Sequence, residues 1–282
     1  MNALRPAVSA TGRLAPGLAG DAAARLFLTT RRPPVAPEAA AVLARARRVT
    51  PAPVTHPLVA HEWPGGSRTA LLVHGWNGHA GQWHAWVEPL RAAGFTVVAL
   101  DGPGHGGSPG NTSSLGHLAR AVREVASWAG GVDVVAGHSL GGAAVLHALA
   151  GGLGAERAVL LGTPAQPGRY IQQFLDLLGL GGSARTHAVA GIEQRAGYPL
   201  RSFDLPALAG RVTAELCLIH DETDRNVPPG EAVALAGAFP RARRLTTRGL
   251  GHHRLLRDGG VVRDAVAFLD GAPATGILPR AA

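Results

Sequence analysis

Three short stretches, far apart along the chain, carry side chains that could combine in nucleophilic catalysis. Ser139 stands in Gly137-His138-Ser139-Leu140-Gly141, a G-x-S-x-G pattern. An apolar, β-branched run, Val132 to Ala136, precedes it, and the small residues Gly142-Ala143-Ala144 follow. The pattern reads as strand, tight turn and helix, a geometry that forces the serine outward and leaves room only for glycine beside it. A serine hydroxyl is a weak nucleophile until a base takes its proton and a third group orients that base. The partners expected for such a turn follow it in the order acid, then histidine, each just after a strand. Behind the apolar run Glu215 to Ile219 come two eligible acids, Asp221 and Asp224, and Arg248-Gly249-Leu250-Gly251-His252-His253-Arg254 offers two eligible bases. The turn would also aim the Leu140 N–H at the space beside the serine oxygen, where a tetrahedral oxyanion needs a donor.

The elements that must position these groups can be read from hydrophobic periodicity. Strands are expected at Leu58 to Trp63, Thr69 to Val73, Thr96 to Leu100, Val132 to Ala136, Ala158 to Leu161, Glu215 to Ile219 and Arg244 to Thr246. Helices are expected over Gln82 to Ala93, Leu115 to Ala129 and Val261 to Leu269. This alternation implies a mostly parallel, doubly wound α/β sheet covered on both faces, with functional residues in loops at the carboxyl ends of its strands. Residues 164–211 break the rhythm. Ile171, Phe174, Leu175 and Leu178 share one helical face ended by Gly179, and Ser183 could cap a second helix reaching Ala196. The segment reads as a small helical cap inserted before the acid-bearing strand.

The expected organisation is an N-terminal helical extension (1–53) packed on the core, a core in two pieces (54–163 and 212–272), the cap (164–211) and a loose tail (273–282). In the extension, Asp21 could cap a short helix through Leu28. A second helix should start at Pro37, with Ala39, Val42, Leu43 and Ala46 on one face.

Composition narrows the function. The net charge of +8 is carried wholly by arginine, and with no aromatic-interleaved basic groove nucleic acid is not expected as a partner. The single cysteine, Cys217, lies in an apolar run and reads as core, which excludes a disulfide framework. No pair of histidines has helical metal-site spacing, so neither a metal nor a cofactor is expected. With no apolar stretch long enough to span a bilayer and no secretion-like leader, the expectation is a cytoplasmic protein. Oligomeric state is not encoded in any pattern here.

Four separated signatures, over about residues 54 to 270, resemble the α/β-hydrolase fold family and its serine esterase and lipase-like members. They are His74-Gly75-Trp76, Asp101-Gly102-Pro103-Gly104-His105-Gly106, the Ser139 turn, and the acid and histidine loops. The stretch His220 to Pro228 is similar to the family's H-G-x-x-D-x-x-V-P loop, which nominates Asp224, although Asp221 fills a position usually held by glycine. The G-x-G-H loop nominates His252, and the H-G-x loop makes the Trp76 backbone N–H a second oxyanion donor beside Leu140. The resemblance implies hydrolysis of small-molecule carboxylic esters by a catalytic triad. The same triad could serve amide cleavage, acyl transfer or perhydrolysis, and a capped pocket could also act as a non-catalytic receptor.

Overall fold

The computed structural model describes residues 11–271, and the tail from residue 273 lies outside them. The chain begins with α1 (Pro16–Leu28) and α2 (Pro37–Leu43), then β1 (Arg47–Val49), β2 (Val59–Trp63) and β3 (Arg68–Val73). A 3-10 turn leads into α3 (His84–Ala92), followed by β4 (Phe95–Asp101), α4 (Leu115–Trp128), β5 (Val134–His138), α5 (Leu140–Ala150) and β6 (Arg157–Leu161). Next come α6 (Gly168–Leu178) and α7 (Gly182–Ala196), two 3-10 turns, β7 (Glu215–Asp221), α8 (Gly230–Ala238), β8 (Arg243–Thr247), α9 (Gly251–Arg254) and α10 (Gly259–Asp270).

The strands form one sheet in the order β1-β2-β4-β3-β5-β6-β7-β8. From β4 through β8 every pairing is parallel, while β1 and β2 are antiparallel additions at one edge. This is the mostly parallel, doubly wound sheet that the alternation predicts. Successive residues of a strand face opposite ways, so Leu71, Val73, Val98, Leu100 and Val135 pack beneath α4 and α5. Ala70, Leu72, Val97, Ala99 and Val134 pack beneath α3 and α10 on the other face. Burial on both faces accounts for the continuous apolar runs. The chain goes outward from β3 to β4 and returns to β5 on the other side of β3, so the topological switch lies between β3 and β5, where open α/β sheets hold ligands.

Three local details differ from the periodicity. α2 ends at Leu43, and Arg47–Val49 pairs with β2 as an extra edge strand, because Arg47 meets Glu62 across the ladder and forms an ion pair with it. Asp21 is not a cap. Helix α1 starts earlier, with Pro16 in its first turn, and Asp21 in its interior bonds Arg25 at 2.7 Å. Ser183 likewise lies inside α7, which starts at Gly182.

The segment before β7 divides in two. Ile171, Leu175, Leu180, Ala184, Ala188 and Ile192 form a separate apolar cluster with α1. Phe203, Leu205 and Leu208 join the core beneath α5.

Trp86 is fully buried, lies edge-on to Trp83 with ring centroids 5.0 Å apart, and donates its indole N–H to the Leu256 carbonyl at 2.8 Å. Trp86→Ala is expected to cost about 3–5 kcal/mol through the cavity it leaves. Urea unfolding checks this, and a loss below about 1 kcal/mol would show that the α3–α10 layer does not depend on it.

Candidate active site

The serine turn, the acid loop, the histidine loop and the His74–Gly78 loop all emerge at one end of the sheet, because parallel strands send all their following loops to the same side. Ser139 links β5 to α5 with φ 54° and ψ −123°, one of two non-glycine residues with positive φ among those described. Such a conformation costs about 1–3 kcal/mol and survives where its surroundings over-determine it. Here the Ser139 N–H donates to the Leu161 carbonyl at 2.8 Å, and its own carbonyl accepts from Gly142 at 3.0 Å. A side chain at Gly141 would collide with the Val73 and His74 carbonyls, so the turn closes directly on the end of β3. Leu140 opens α5, and the first N–H groups of a helix have no intrahelical acceptor.

The two eligible acids part company in space. Asp224 receives His252 Nδ1 on Oδ2 at 2.7 Å, while its Oδ1 accepts the Asn226 and Val227 N–H groups at 2.8 and 2.9 Å. Burial alone would raise this carboxyl, but the His252 hydrogen bond and those backbone donors hold it below the ordinary carboxylate value. Asp221 is buried and fully occupied elsewhere. It accepts from Thr223 N–H at 2.9 Å, from the Thr247 hydroxyl at 2.8 Å and from Leu250 N–H at 2.9 Å. Asp221 therefore ties the acid loop to the histidine loop, and these bonds outweigh burial to keep it well below the usual carboxylate range. His253 is exposed and His252 is buried.

The His252–Asp224 pair packs against the serine turn through His138. The His252 ring lies 4.6 Å from that of His138, the residue before the serine, and His138 Nε2 donates to the His252 carbonyl at 2.9 Å. With Nδ1 of His252 donating to Asp224, its Nε2 is left as the basic nitrogen.

On the opposite side of the turn, a Cβ on Gly75 would lie 3.0 Å from Ser139 Cβ, so the His74–Gly78 loop flanks the serine. His74 spends both ring nitrogens on backbone, accepting from Gly102 N–H at 2.9 Å and donating to the Gly75 carbonyl at 2.7 Å. Trp76 is half-buried, its ring edge-on to His105 at 5.3 Å.

Sequence reasoning missed three supports. Gly162 has φ +54°, and a Cβ there would sit 3.1 Å from His252 Nδ1 and 3.4 Å from Asp224 Oδ2, so only glycine lets β6 pass behind that pair. Its signal was a glycine directly after an apolar strand. Asp101 accepts from Ala80 N–H at 2.7 Å, Gly107 N–H at 2.8 Å and His61 at 3.2 Å, bracing the two loops beside β3 and β4. Burial opposes its charge, but the His61 bond and the backbone donors prevail and bring it to about 2. Glu231 accepts from Ala165 and Gln166 N–H at 2.7 and 3.1 Å, fixing the exit from β6 toward α6. Asp101 opens the Asp101–Gly106 signature, but its bracing role leaves no linear pattern, and nothing local marks Glu231, whose partners are backbone groups remote in sequence. Among the described residues no three metal-ligating side chains converge, and no helix is long and apolar enough to cross a membrane. Cys217 is buried in β7, which pushes its thiol up to about 12.

A family model described as the alpha/beta hydrolase family matches residues 70–265. Among curated proteins, the chain is 37% identical over 95 residues to a dihydrolipoyllysine-residue acetyltransferase component of an acetoin cleaving system from Cupriavidus necator, covering 34% of this chain and 24% of that protein. It is 35% identical over 103 residues to a monoacylglycerol lipase from Mycolicibacterium smegmatis, covering 34% and 37%. These matches span well under half of either relative's length. Among solved structures, Est1E from Butyrivibrio proteoclasticus, determined with ferulic acid bound, superposes with a TM-score of 0.62 at 20% identity, covering 78% of this chain and 96% of that one.

The buried histidines give the site a pH signature. Burial, with neighbouring histidines adding to it, pushes His105 and His138 down to about 3, and burial lowers His74 as well. Unfolding returns them to an ordinary value of about 6.5. Between about pH 3 and 6.5 the unfolded chain therefore binds more protons than the folded one, so stability falls as pH drops through that window and is fully present above it. The urea midpoint is expected to be lower at pH 5 than at pH 7.5, and His138→Gln is expected to shrink that difference. An unchanged pH slope in the variant would contradict it.

Proposed function

The chain belongs to the alpha/beta hydrolase family, and on that premise we propose that it hydrolyses carboxylic esters of small to medium, mainly apolar substrates through an acyl-enzyme on Ser139. The observation that carries this reading is the 2.7 Å bond from His252 Nδ1 to Asp224 Oδ2, with His252 packed against the residue that precedes a serine in a strained strand-to-helix turn. His252 Nε2 takes the Ser139 proton as Oγ attacks the ester carbonyl, and Asp224 stabilises the imidazolium that forms. The tetrahedral oxyanion is received by the backbone N–H groups of Leu140 and Trp76, each such donor being worth about 3–4 kcal/mol. His252 returns its proton to the departing alkoxide, which leaves as the alcohol. Water, deprotonated by the same nitrogen, then attacks the acyl carbonyl, and the carboxylic acid departs with Ser139 reprotonated.

The match to a monoacylglycerol lipase supports an ester as substrate. The half-buried Trp76 favours apolar substituents. A second reading, acyl transfer from the same acyl-enzyme to an acceptor other than water, is favoured by the likeness to an acetyltransferase component.

The test uses p-nitrophenyl esters of graded acyl length with a fluorophosphonate probe. The wild type should turn over the shorter esters and be labelled at Ser139. Ser139→Ala should lower kcat by about 10⁴-fold or more, and Asp224→Asn by about 10³–10⁴-fold. Full turnover in Ser139→Ala would sink the proposal, and an added alcohol or thiol that diverts the acyl group at the expense of hydrolysis would establish transfer.

A further inference from the structure

Residues 16–32 precede the part of the chain that the family model matches, and nothing in the chemistry above uses them. They nevertheless touch three parts of the site's surroundings. Helix α1 lies against the cap: Ala19, Ala23, Ala24 and Leu28 share a cluster with Leu175, Ala188 and Ile192. Asp21 also pairs with Arg195 of α7.

Past Leu28 the chain crosses the loop that follows β4. Ser113 N–H donates to the Leu28 carbonyl at 2.9 Å and Thr30 N–H to the Asn111 carbonyl at 2.8 Å, with an antiparallel bridge between Thr29 and Thr112. The buried Thr30 hydroxyl donates to the Gly104 carbonyl at 2.7 Å, and the Arg32 guanidinium reaches the Gly110 carbonyl at 2.7 Å. Between these anchors the Arg31 N–H donates to Asn77 Oδ1 at 2.7 Å.

Asn77 is the residue after Trp76. It has φ 56° and is, with Ser139, one of the two non-glycine residues with positive φ among those described. Asparagine tolerates that conformation better than most residues, yet the turn still gains from a partner that fixes its side chain. The other contact on Trp76 is also held from the same side. Its ring lies edge-on to His105, which follows Gly104, the residue that accepts the Thr30 hydroxyl. One segment thus reaches the Trp76 loop twice, directly at Asn77 and through the Gly104–His105 stretch that meets the Trp76 ring.

We propose that Thr29 to Arg32 form a strap that positions the Trp76 N–H, with Asn77 as the positioning residue and the Thr30 hydroxyl as the buried anchor, so that turnover depends on a segment outside the family's common core. The proposal rests on the oxyanion role given to Trp76 above. A donor aimed at developing negative charge acts on the transition state far more than on the ground-state ester, so a misplaced donor lowers kcat and leaves KM nearly untouched.

The experiment measures kcat, KM and thermal midpoint for the full chain and for Asn77→Ala, Thr30→Val and Thr30→Ser on a short p-nitrophenyl ester, at least ten degrees below the lowest midpoint. Asn77→Ala and Thr30→Val are expected to lose about 10- to 100-fold in kcat with KM within about twofold of the wild type. Thr30→Ser, which keeps the hydroxyl, should stay within about threefold in kcat. Wild-type kcat in Asn77→Ala, a loss in Thr30→Ser equal to that in Thr30→Val, or a loss confined to KM or to the thermal midpoint each overturns the strap while leaving the hydrolase reading intact. A wild type that neither turns over esters nor is labelled at Ser139 by a fluorophosphonate overturns both.

Discussion

The tight turn between β5 and α5 is the constraint on which the rest of this structure depends. To carry a serine at φ 54° the chain must be gripped from both sides, and the grip comes from the two neighbouring strands. β6 supplies the Leu161 carbonyl to the Ser139 N–H, and β3 brings its terminal carbonyls against Gly141. Those contacts require β5 to sit between β3 and β6, which is the order of the sheet. The same order brings the His74–Gly78 loop to one side of the serine and Gly162 to the other. Gly162 in turn leaves the space that the His252–Asp224 pair fills. Strain at one residue is thus maintained by the packing of a whole sheet.

Around that turn the structure sorts its ionisable groups by what each carboxylate has as a partner. Asp101, Asp221 and Asp224 are all buried, and all remain acidic because hydrogen bonds replace the water they have lost. Asp221 is filled by backbone N–H groups and hydroxyls, and Asp101 by backbone N–H groups and His61 at 3.2 Å, so both act as braces between loops, whereas Asp224 gives one oxygen to His252 at 2.7 Å. The nearby His74, His105 and His138 are neutral and bonded to backbone, so they shape the loops without adding positive charge beside the His252–Asp224 pair. On the proposed chemistry this matters directly. A charged neighbour at His138, in ring contact with His252, would oppose the imidazolium that must form there.

Beyond the common core, α1, α6 and α7 share one apolar cluster distinct from the two that flank the sheet. An amphipathic helix such as α6 needs an apolar partner. Helix α1 provides part of it, so α6 and α7 are held by the N-terminal segment as well as by their chain connections to the sheet.

Much of this was legible in the residues. Strands buried on both faces announce themselves as β-branched runs, helices by their 3.6-residue spacing, and a serine between a strand and a run of small residues by its glycines. These are local properties, so the sheet's class, most of its strands and the clustering of Ser139, the acid loop and the histidine loop at one end follow from the sequence itself. The edge strand Arg47–Val49 was not legible, because three residues with two arginines have no strand-like pattern until Glu62 and its neighbours lie alongside. The distinction between Asp221 and Asp224 could be drawn from the residues only by resemblance. Both are carboxylates on one loop, and what separates them is which oxygen meets His252 and which meets Thr247 and Leu250. The bracing role of Asp101, the closeness of Gly162 to the histidine and the reach of Arg31 to Asn77 are likewise contacts between distant parts of the chain. Periodicity and local motifs therefore determined which elements form and which side chains face the loops. Only tertiary packing decided which of those side chains meet, because a hydrogen bond between residues far apart in sequence leaves no local pattern.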